Sequence, residues 1–297
     1  MSHVAVIGGS GFVGQRLCLA LHAAGHAVRV VTRRREAHRE LLVLPDLQVV
    51  EADVHNPAAL KQALAGVDAV VNLVGILNES RRQTFAAVHV ELPGKIAEAC
   101  RQNGIARLLH MSALNAAPDG ASEYLRSKGR GEQRVLAAHG HELAVTVFRP
   151  SVIFGPGDHF INMFAALLRV VPGVFPLACA EAQMQPVHVD DVTRAMADAV
   201  TRHATHGQRY NLCGPRVFTL REILELIARH LGRRVRIVPL PRVLSRLQAQ
   251  LLQWVPGKPF TPDNYRSLQV PSVCDGPFPA MFGLVPKSLE NSLPAHH

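Results

Sequence analysis

Val4-Ala5-Val6-Ile7 runs directly into Gly8-Gly9-Ser10-Gly11-Phe12-Val13-Gly14, and a helical pattern of apolar residues follows over 11–24. A four-residue apolar run of this kind suits a strand covered on both faces. The spacing Gly8-x-x-Gly11-x-x-Gly14 then permits a tight turn that opens a helix. Glycines there let backbone N–H groups approach an anion, and the positive helix end favours the same anion. The chain therefore starts with a βαβ unit built to hold a pyrophosphate. Gly8, Ser10, Gly11, Phe12, Val13 and Gly14 are expected to line it.

The pattern repeats. Apolar or β-branched runs at 27–32, 47–51, 69–74, 107–111 and 144–148 alternate with helical stretches at 58–65, 85–103 and 122–139. Asn56-Pro57 supplies a helix start, with Asn as cap and Pro in the first turn. Repeated β-α units predict an α/β fold: a Rossmann-like, doubly wound parallel sheet. After Arg149-Pro150 the regularity fades into a loop, Gly155-Pro156-Gly157-Asp158, and helical patterns at 190–202, 220–231 and 242–254. The expected organisation is a nucleotide-binding domain over 1–150 and a smaller mixed cap over 151–297. A strand near 210–213 is expected to return to the sheet, and the Pro- and Gly-rich end from Pro256 to wrap the surface.

Arginines follow the second strand. An acidic residue there would bind a ribose 2′-hydroxyl, but the chain reads Val31-Thr32-Arg33-Arg34-Arg35. Guanidinium groups pair with a 2′-phosphate, so Arg33 and Arg34 predict NADP(H) in preference to NAD(H). Asp53-Val54 follows the third strand, where Asp53 either accepts a hydrogen bond from adenine or caps local backbone. Leu73, Val74 and Gly75 end the fourth strand at the edge where ligands sit, and Pro150 is expected in the same lining.

Bulk properties limit the partners. Of 297 residues 48% are hydrophobic and 19% charged, enough for a large core. A net charge of +9 suits an anionic ligand, an anionic membrane surface or an acidic partner. No arginine-aromatic cluster or DNA-reading motif stands out, so nucleic acid is not expected. The five cysteines form no C-x-x-C pair, which predicts neither a disulfide framework nor a zinc site and fits a reducing, cytoplasmic setting. The 4–7 run is too short for a secretory signal. Residues 160–180 carry one charge, Arg169, but Pro172, Gly173 and Pro176 interrupt them, which predicts a buried helix and loop, not a membrane span.

Tyr124 and Lys128 are four apart and share a helix face, where an ammonium beside a phenol would lower the phenol's pKa. With Gly8 to Gly14, Asp53-Val54 and Asn72 to Gly75 in this order, the chain resembles a short-chain dehydrogenase/reductase. Arg149 to Asp158 and Gln185-Pro186-Val187-His188-Val189-Asp190-Asp191-Val192 resemble its extended and atypical branch, the NAD-dependent epimerases/dehydratases. Phe260-Thr261-Pro262-Asp263-Asn264-Tyr265 and Phe282-Gly283-Leu284-Val285-Pro286 are similar to bacterial relatives of accessory subunit nine of the respiratory complex I alpha subcomplex.

That resemblance implies Tyr124 as acid/base and Lys128 as its tuner and ribose anchor. The family's catalytic set is incomplete: His89 stands where Asn is usual, and Leu114 stands where serine is usual, with Ser112 two residues earlier. Two functions follow as expectations. One is an NADP(H)-dependent oxidoreductase or epimerase-like enzyme acting on an unknown small molecule, with Tyr124, Lys128 and Ser112 as its catalytic residues. The other is a non-catalytic NADPH-binding subunit associated with respiratory complex I, peripheral to the inner membrane.

Two further stretches have competing readings. In His188-Val189-Asp190-Asp191 a metal site is weighed against Asp190 capping the next helix, and the cap is preferred; no metal is expected. Residues 242–254 read as an amphipathic helix in which Leu244, Leu247 and Leu251 form a stripe. Core packing is the default there, while Arg242, Arg246 and Trp254 also suit a membrane surface or a docking partner.

Overall fold

The computed structural model describes residues 1–33 and 47–293. Strand β1 (His3–Ile7) leads through the glycine turn into α1 (Phe12–Ala23), followed by β2 (Ala27–Thr32), β3 (Leu47–Glu51), α2 (Pro57–Ala63) and β4 (Ala69–Asn72). Then come α3 (Leu92–Gln102), β5 (Arg107–Met111), α4 (Glu123–Leu136) and β6 (Ala144–Pro150). The remainder holds β7 (Ile153–Phe154), α5 (Phe160–Val170), β8 (Val174–Leu177), β9 (Gln183–Met184), β10 (Val187–His188), α6 (Val189–Ala199) and β11 (Arg209–Leu212). It ends with β12 (Phe218–Thr219), α7 (Leu220–His230), β13 (Arg236–Pro239), α8 (Arg242–Leu252), α9 (Pro262–Ser267) and α10 (Leu289–Ser292).

Seven strands form one parallel sheet in the order β11-β6-β5-β4-β1-β2-β3. The order reverses at β1, so the carboxyl ends of β1 and β4 mark the switch point at which a sheet of this kind is expected to place its ligand. Alternating side chains explain the continuous apolar runs. Val4 and Val6 face α1 and α6 with Leu17, Leu21, Val192 and Met196, whereas Ala5 and Ile7 face the other layer with Leu60, Leu64, Leu92 and Ile96. Each fully buried aliphatic side chain contributes about 1.5–3 kcal/mol. A third cluster, built from Phe154, Leu168, Leu224, Ile227 and Ile237 among others, lies wholly after residue 150.

Four local expectations are corrected. The helix expected at 85–103 divides: Ala86–Glu91 form a widened π-helical turn before α3. Pro93 has no N–H for the carbonyl of His89 four residues earlier, so the ladder is interrupted there. The leucine stripe of α8 faces outward, because Ser245 and Ala249 are its buried residues. Cys213 and Cys274 form a disulfide across 61 residues of sequence, because the chain beyond α9 returns alongside the end of β11. Finally, His188, not Asp190, caps α6: its Nδ1 accepts from the Asp190 amide at 3.1 Å, while Asp190 pairs with Lys287 at 2.8 Å.

Candidate functional site

The glycine turn is closed by the Gly11 amide donating to the Gly8 carbonyl at 3.1 Å. Gly8 has φ +85°, and a Cβ on Gly14 would lie 2.3 Å from the Gly8 carbonyl oxygen and 2.5 Å from the Gly9 Cα. Close backbone packing therefore accounts for both residues. Helix α1 begins at Phe12 with Gly11 as its N-cap, so no side chain caps it. Its first amides are left for an anion, which is what a pyrophosphate requires. Gly157, in the loop before α5, approaches the Phe12 ring.

Beyond β2, Thr32 is buried and Arg33 is exposed, while Arg34 lies outside the described residues. Asp53 accepts the amide of His55 with its Oδ1 at 3.0 Å, and the Val54 side chain is buried in the core. The end of β4 touches the glycine turn. A Cβ on Gly8 would lie 3.3 Å from both the Leu73 carbonyl carbon and the Val74 nitrogen. Asn72 fixes this corner, accepting the Val74 amide at 3.1 Å while its Nδ2 meets His110 Nδ1 at 3.1 Å. The strand stops at Asn72, two residues before its expected end, because this side chain turns the backbone.

Next along the chain, Gly75 faces both His89 and Lys128. A Cβ there would lie 3.6 Å from His89 Nε2 and 3.7 Å from Lys128 Nζ. His89 Nε2 accepts the Ile76 amide at 3.0 Å, and its ring Nδ1 lies 2.9 Å from Ser127 Oγ. The amide can only donate, so the neutral ring carries its proton on Nδ1 and donates to Ser127. Ser127 in turn donates to the Tyr124 carbonyl at 2.8 Å. Burial, then the Lys128 ammonium, push His89 down to about 3. The same causes hold His110 well below the usual histidine range, with burial first.

Tyr124 lies edge-on to His89, with ring centroids 5.6 Å apart, and Phe85 stacks on His89 at 5.2 Å. Burial pushes the Tyr124 phenol up to about 12. This reverses the sequence expectation of a lowered phenol: Lys128 Nζ donates to the Met111 carbonyl at 2.7 Å, and desolvation dominates at the ring. Burial also lowers Lys128 to about 8, partly offset by buried Glu132 one turn away. Glu132 is itself held by Arg149 and Arg209, each at 2.6 Å.

Ser112 follows Met111 directly. Its amide donates to Phe148 at 2.7 Å, and its buried Oγ has no hydrogen-bond partner among the described residues. Leu114 is buried and donates its amide to the Pro150 carbonyl at 2.9 Å. The structure thus brings Gly75, His89, Tyr124 and Lys128 together beyond the glycine turn, with Ser112 at the same strand end as the Lys128 acceptor. Ser127 and His110 carry no sequence signal of their own, and Asp263 stands in the 260–265 motif without an assigned role. Asp263 accepts the amides of Glu123 and Tyr124, and only the tertiary path of the C-terminal segment shows it.

The residues present fit a nicotinamide dinucleotide: an uncapped helix start, a glycine cradle that a Cβ would fill, and a buried hydroxyl awaiting a partner. Among known proteins, the chain is 28% identical over 292 residues to the rat NADH dehydrogenase [ubiquinone] 1 alpha subcomplex subunit 9, covering 96% of this chain and 77% of the relative. It is 32% identical over 192 residues to a ceramide reductase of Caulobacter vibrioides, covering 63% of this chain and 57% of that one. A dTDP-glucose 4,6-dehydratase from Streptomyces venezuelae, solved with NAD bound, shares the fold at a TM-score of 0.69 and 24% identity, over 80% of this chain and 85% of the other. The family model for NAD dependent epimerases/dehydratases matches residues 4–213, and the chain belongs to that family.

Proposed function

We propose that this chain is an NADP(H)-dependent oxidoreductase or epimerase-like enzyme working on a small carbonyl or hydroxyl substrate above Tyr124. The observation that carries the reading is the series of close approaches that leads from the glycine turn to Lys128. A Cβ on Gly8 would meet the Leu73–Val74 peptide, and one on Gly75, just after it, would meet His89 and Lys128. A dinucleotide with its pyrophosphate on α1 would run along Leu73, Val74 and Gly75 toward Tyr124 and Lys128. Pro150 belongs to the same proposed lining, and Asp53 and Val54 to its adenine end. When bound, the nicotinamide supplies or accepts a hydride.

The residues then divide the work. A phenol held near 12 is protonated at neutral pH, so Tyr124 is suited to give a proton to a substrate oxygen and the reductive direction is favoured. Lys128, near 8, is mostly cationic at neutral pH and anchors the ribose. Ser112 offers a free hydroxyl to polarise the substrate oxygen. His89 is a positioning residue, since both ring nitrogens are engaged and the ring stays neutral. The name of the Caulobacter relative, a reductase, supports this reading. Arg33 and Arg34 support NADP(H).

A second reading has its own support. Lys128 is occupied by a backbone carbonyl and the phenol is raised, an arrangement compatible with a bound nucleotide that does not turn over. In that case the chain is an NADPH-binding subunit of a respiratory-complex type, stabilised by its ligand, as the name of the rat relative suggests. Turnover decides between them. The purified chain should oxidise NADPH with some member of a carbonyl and quinone panel, and Tyr124→Phe should abolish this while leaving NADPH affinity within about threefold. Nucleotide retained through repeated washing, with no oxidation by any panel member, would establish the subunit reading instead.

A further inference from the structure

Helix α8 carries its apolar residues on the wrong side for a core helix. Val243, Leu247 and Leu251 recur at spacings of four and so share one face of α8, and Trp254 follows three residues on, in the turn just past the helix end. Their exposures are 76%, 48%, 63% and 83%. The opposite face, which packs inward, presents small Ser245 and Ala249. A solvent-facing stripe of this size on a chain with one tryptophan asks for a covering surface.

Charge indicates which surface. Between Glu225 and Asp263 the sequence has no acidic residue, and every charged side chain is Arg or Lys. Arg246 borders the apolar face and Arg242 opens the helix, and both are exposed, as is Lys258 just beyond Trp254. A second copy of the chain would bring these like charges face to face. An anionic lipid surface would instead receive the apolar face between its headgroups and the basic rim at its phosphates.

The helix is also close to the site. α8 packs on α9, and Asp263 of α9 holds the first amides of α4, the helix that carries Tyr124. Lys258 donates to the Glu79 carbonyl at 2.7 Å, and Asn78 donates to the Lys258 carbonyl at 3.2 Å. Those contacts bring the loop after Gly75, with Leu77 63% exposed, to the same side.

We propose that α8 and the turn after it form a membrane-docking element, whose exposed Val243, Leu247, Leu251 and Trp254 enter the headgroup layer of an anionic phospholipid bilayer. The inference adds a membrane-surface location to the function proposed above, rests on that reading for the substrate class alone, and is independent of turnover. Among the described residues no helix is long and apolar enough to cross a membrane, so the attachment is interfacial. Docking through α8 presents the loop after Gly75 to the lipid, and the substrate class it fits is a carbonyl compound dissolved in the bilayer.

Trp254, the single tryptophan, reports directly. The full chain should be titrated with phosphatidylcholine vesicles with and without phosphatidylglycerol. Anionic vesicles should shift Trp254 emission to the blue, brominated lipid should quench it, and the chain should float with the vesicles. Leu247→Glu should weaken this binding at least about tenfold, and Arg242→Ala and Arg246→Ala about fivefold each. All three variants should keep wild-type NADPH affinity. The proposal is overturned if Trp254 emission ignores anionic vesicles, or if Leu247→Glu floats like the wild type. A blue shift that grows with protein concentration without lipid would also overturn it and assign the face to a second copy. A chain that floats without binding NADPH would support docking and remove the function proposed above.

Discussion

Asp263 grips the helix of Tyr124 from 139 residues away: its Oδ1 accepts the Glu123 amide at 2.8 Å and its Oδ2 the Tyr124 amide at 2.9 Å. Ser122 caps the same helix by accepting the Leu125 amide at 3.1 Å, and Ser267 donates to Ser122 at 2.8 Å. The C-terminal segment therefore satisfies donors that every helix leaves unpaired at its start. Asp263→Ala is expected to cost about 1–2 kcal/mol in urea unfolding. If Tyr124 is the proton donor, kcat falls while NADPH affinity is retained. Asp263→Asn, which keeps one acceptor, should recover part of both. Wild-type kcat in Asp263→Ala would show that this cap does not position Tyr124.

His89 makes stability depend on acid. Its folded-state pKa is pushed to about 3 by burial and the Lys128 ammonium, against an ordinary 6.5. Between those values the unfolded chain binds a proton that the folded chain does not, so stability falls as pH drops through this window. Urea midpoints should therefore decline from pH 7 toward pH 4. His110, held low in the same way, contributes in the same direction. His89→Gln keeps an acceptor for the Ile76 amide but removes the titration, and the slope should flatten. An unchanged slope would exclude His89 as a source.

The parts legible in the sequence are those decided by neighbours along the chain. The glycine turn is local chemistry, and the run at 4–7 is buried on both faces as its unbroken apolar character requires. The parts that were not legible depend on segments meeting from afar. A one-dimensional pattern shows that Leu247 and Leu251 share a face, but not that Ser245 and Ala249 take the inner one. It shows no partner for Cys213, 61 residues before Cys274. At Tyr124 the lysine four residues on suggested a lowered phenol, yet burial has the larger effect because the ammonium is turned to Met111. The motif 260–265 carries a family resemblance, and its physical role emerges only where Asp263 meets α4.

Gly14 tests the cradle with little ambiguity. The atoms a Cβ would meet at 2.3 and 2.5 Å are backbone, so relief requires moving the turn itself. Gly14→Ala is expected to destabilise by about 1–3 kcal/mol and to weaken NADPH at least about tenfold, because the amides proposed to face the pyrophosphate move with the turn. Gly140→Ala serves as the control. A Cβ there meets nothing within 4 Å, and stability should stay within about 0.5 kcal/mol. Calorimetric titration with NADPH reads the affinities, and undiminished binding in Gly14→Ala would move the pyrophosphate elsewhere.

The proposed preference for NADP(H) rests on the end of β2. Arg33 is exposed there, free to meet a ligand's 2′-phosphate, and Arg34 follows it in sequence. A guanidinium–phosphate pair is charge-assisted and needs the 2′-phosphate, which NADH lacks. Arg33→Ala/Arg34→Ala should therefore weaken NADPH by about tenfold or more and leave NADH within about twofold. Raised salt should reduce the wild-type preference in the same direction, since an exposed pair is screened. Equal losses for the two nucleotides would mean that the arginines act on the shared pyrophosphate or on the fold. The choice between NADP(H) and NAD(H) would then have to be sought beyond β3, where Asp53 already spends one carboxylate oxygen on the His55 amide.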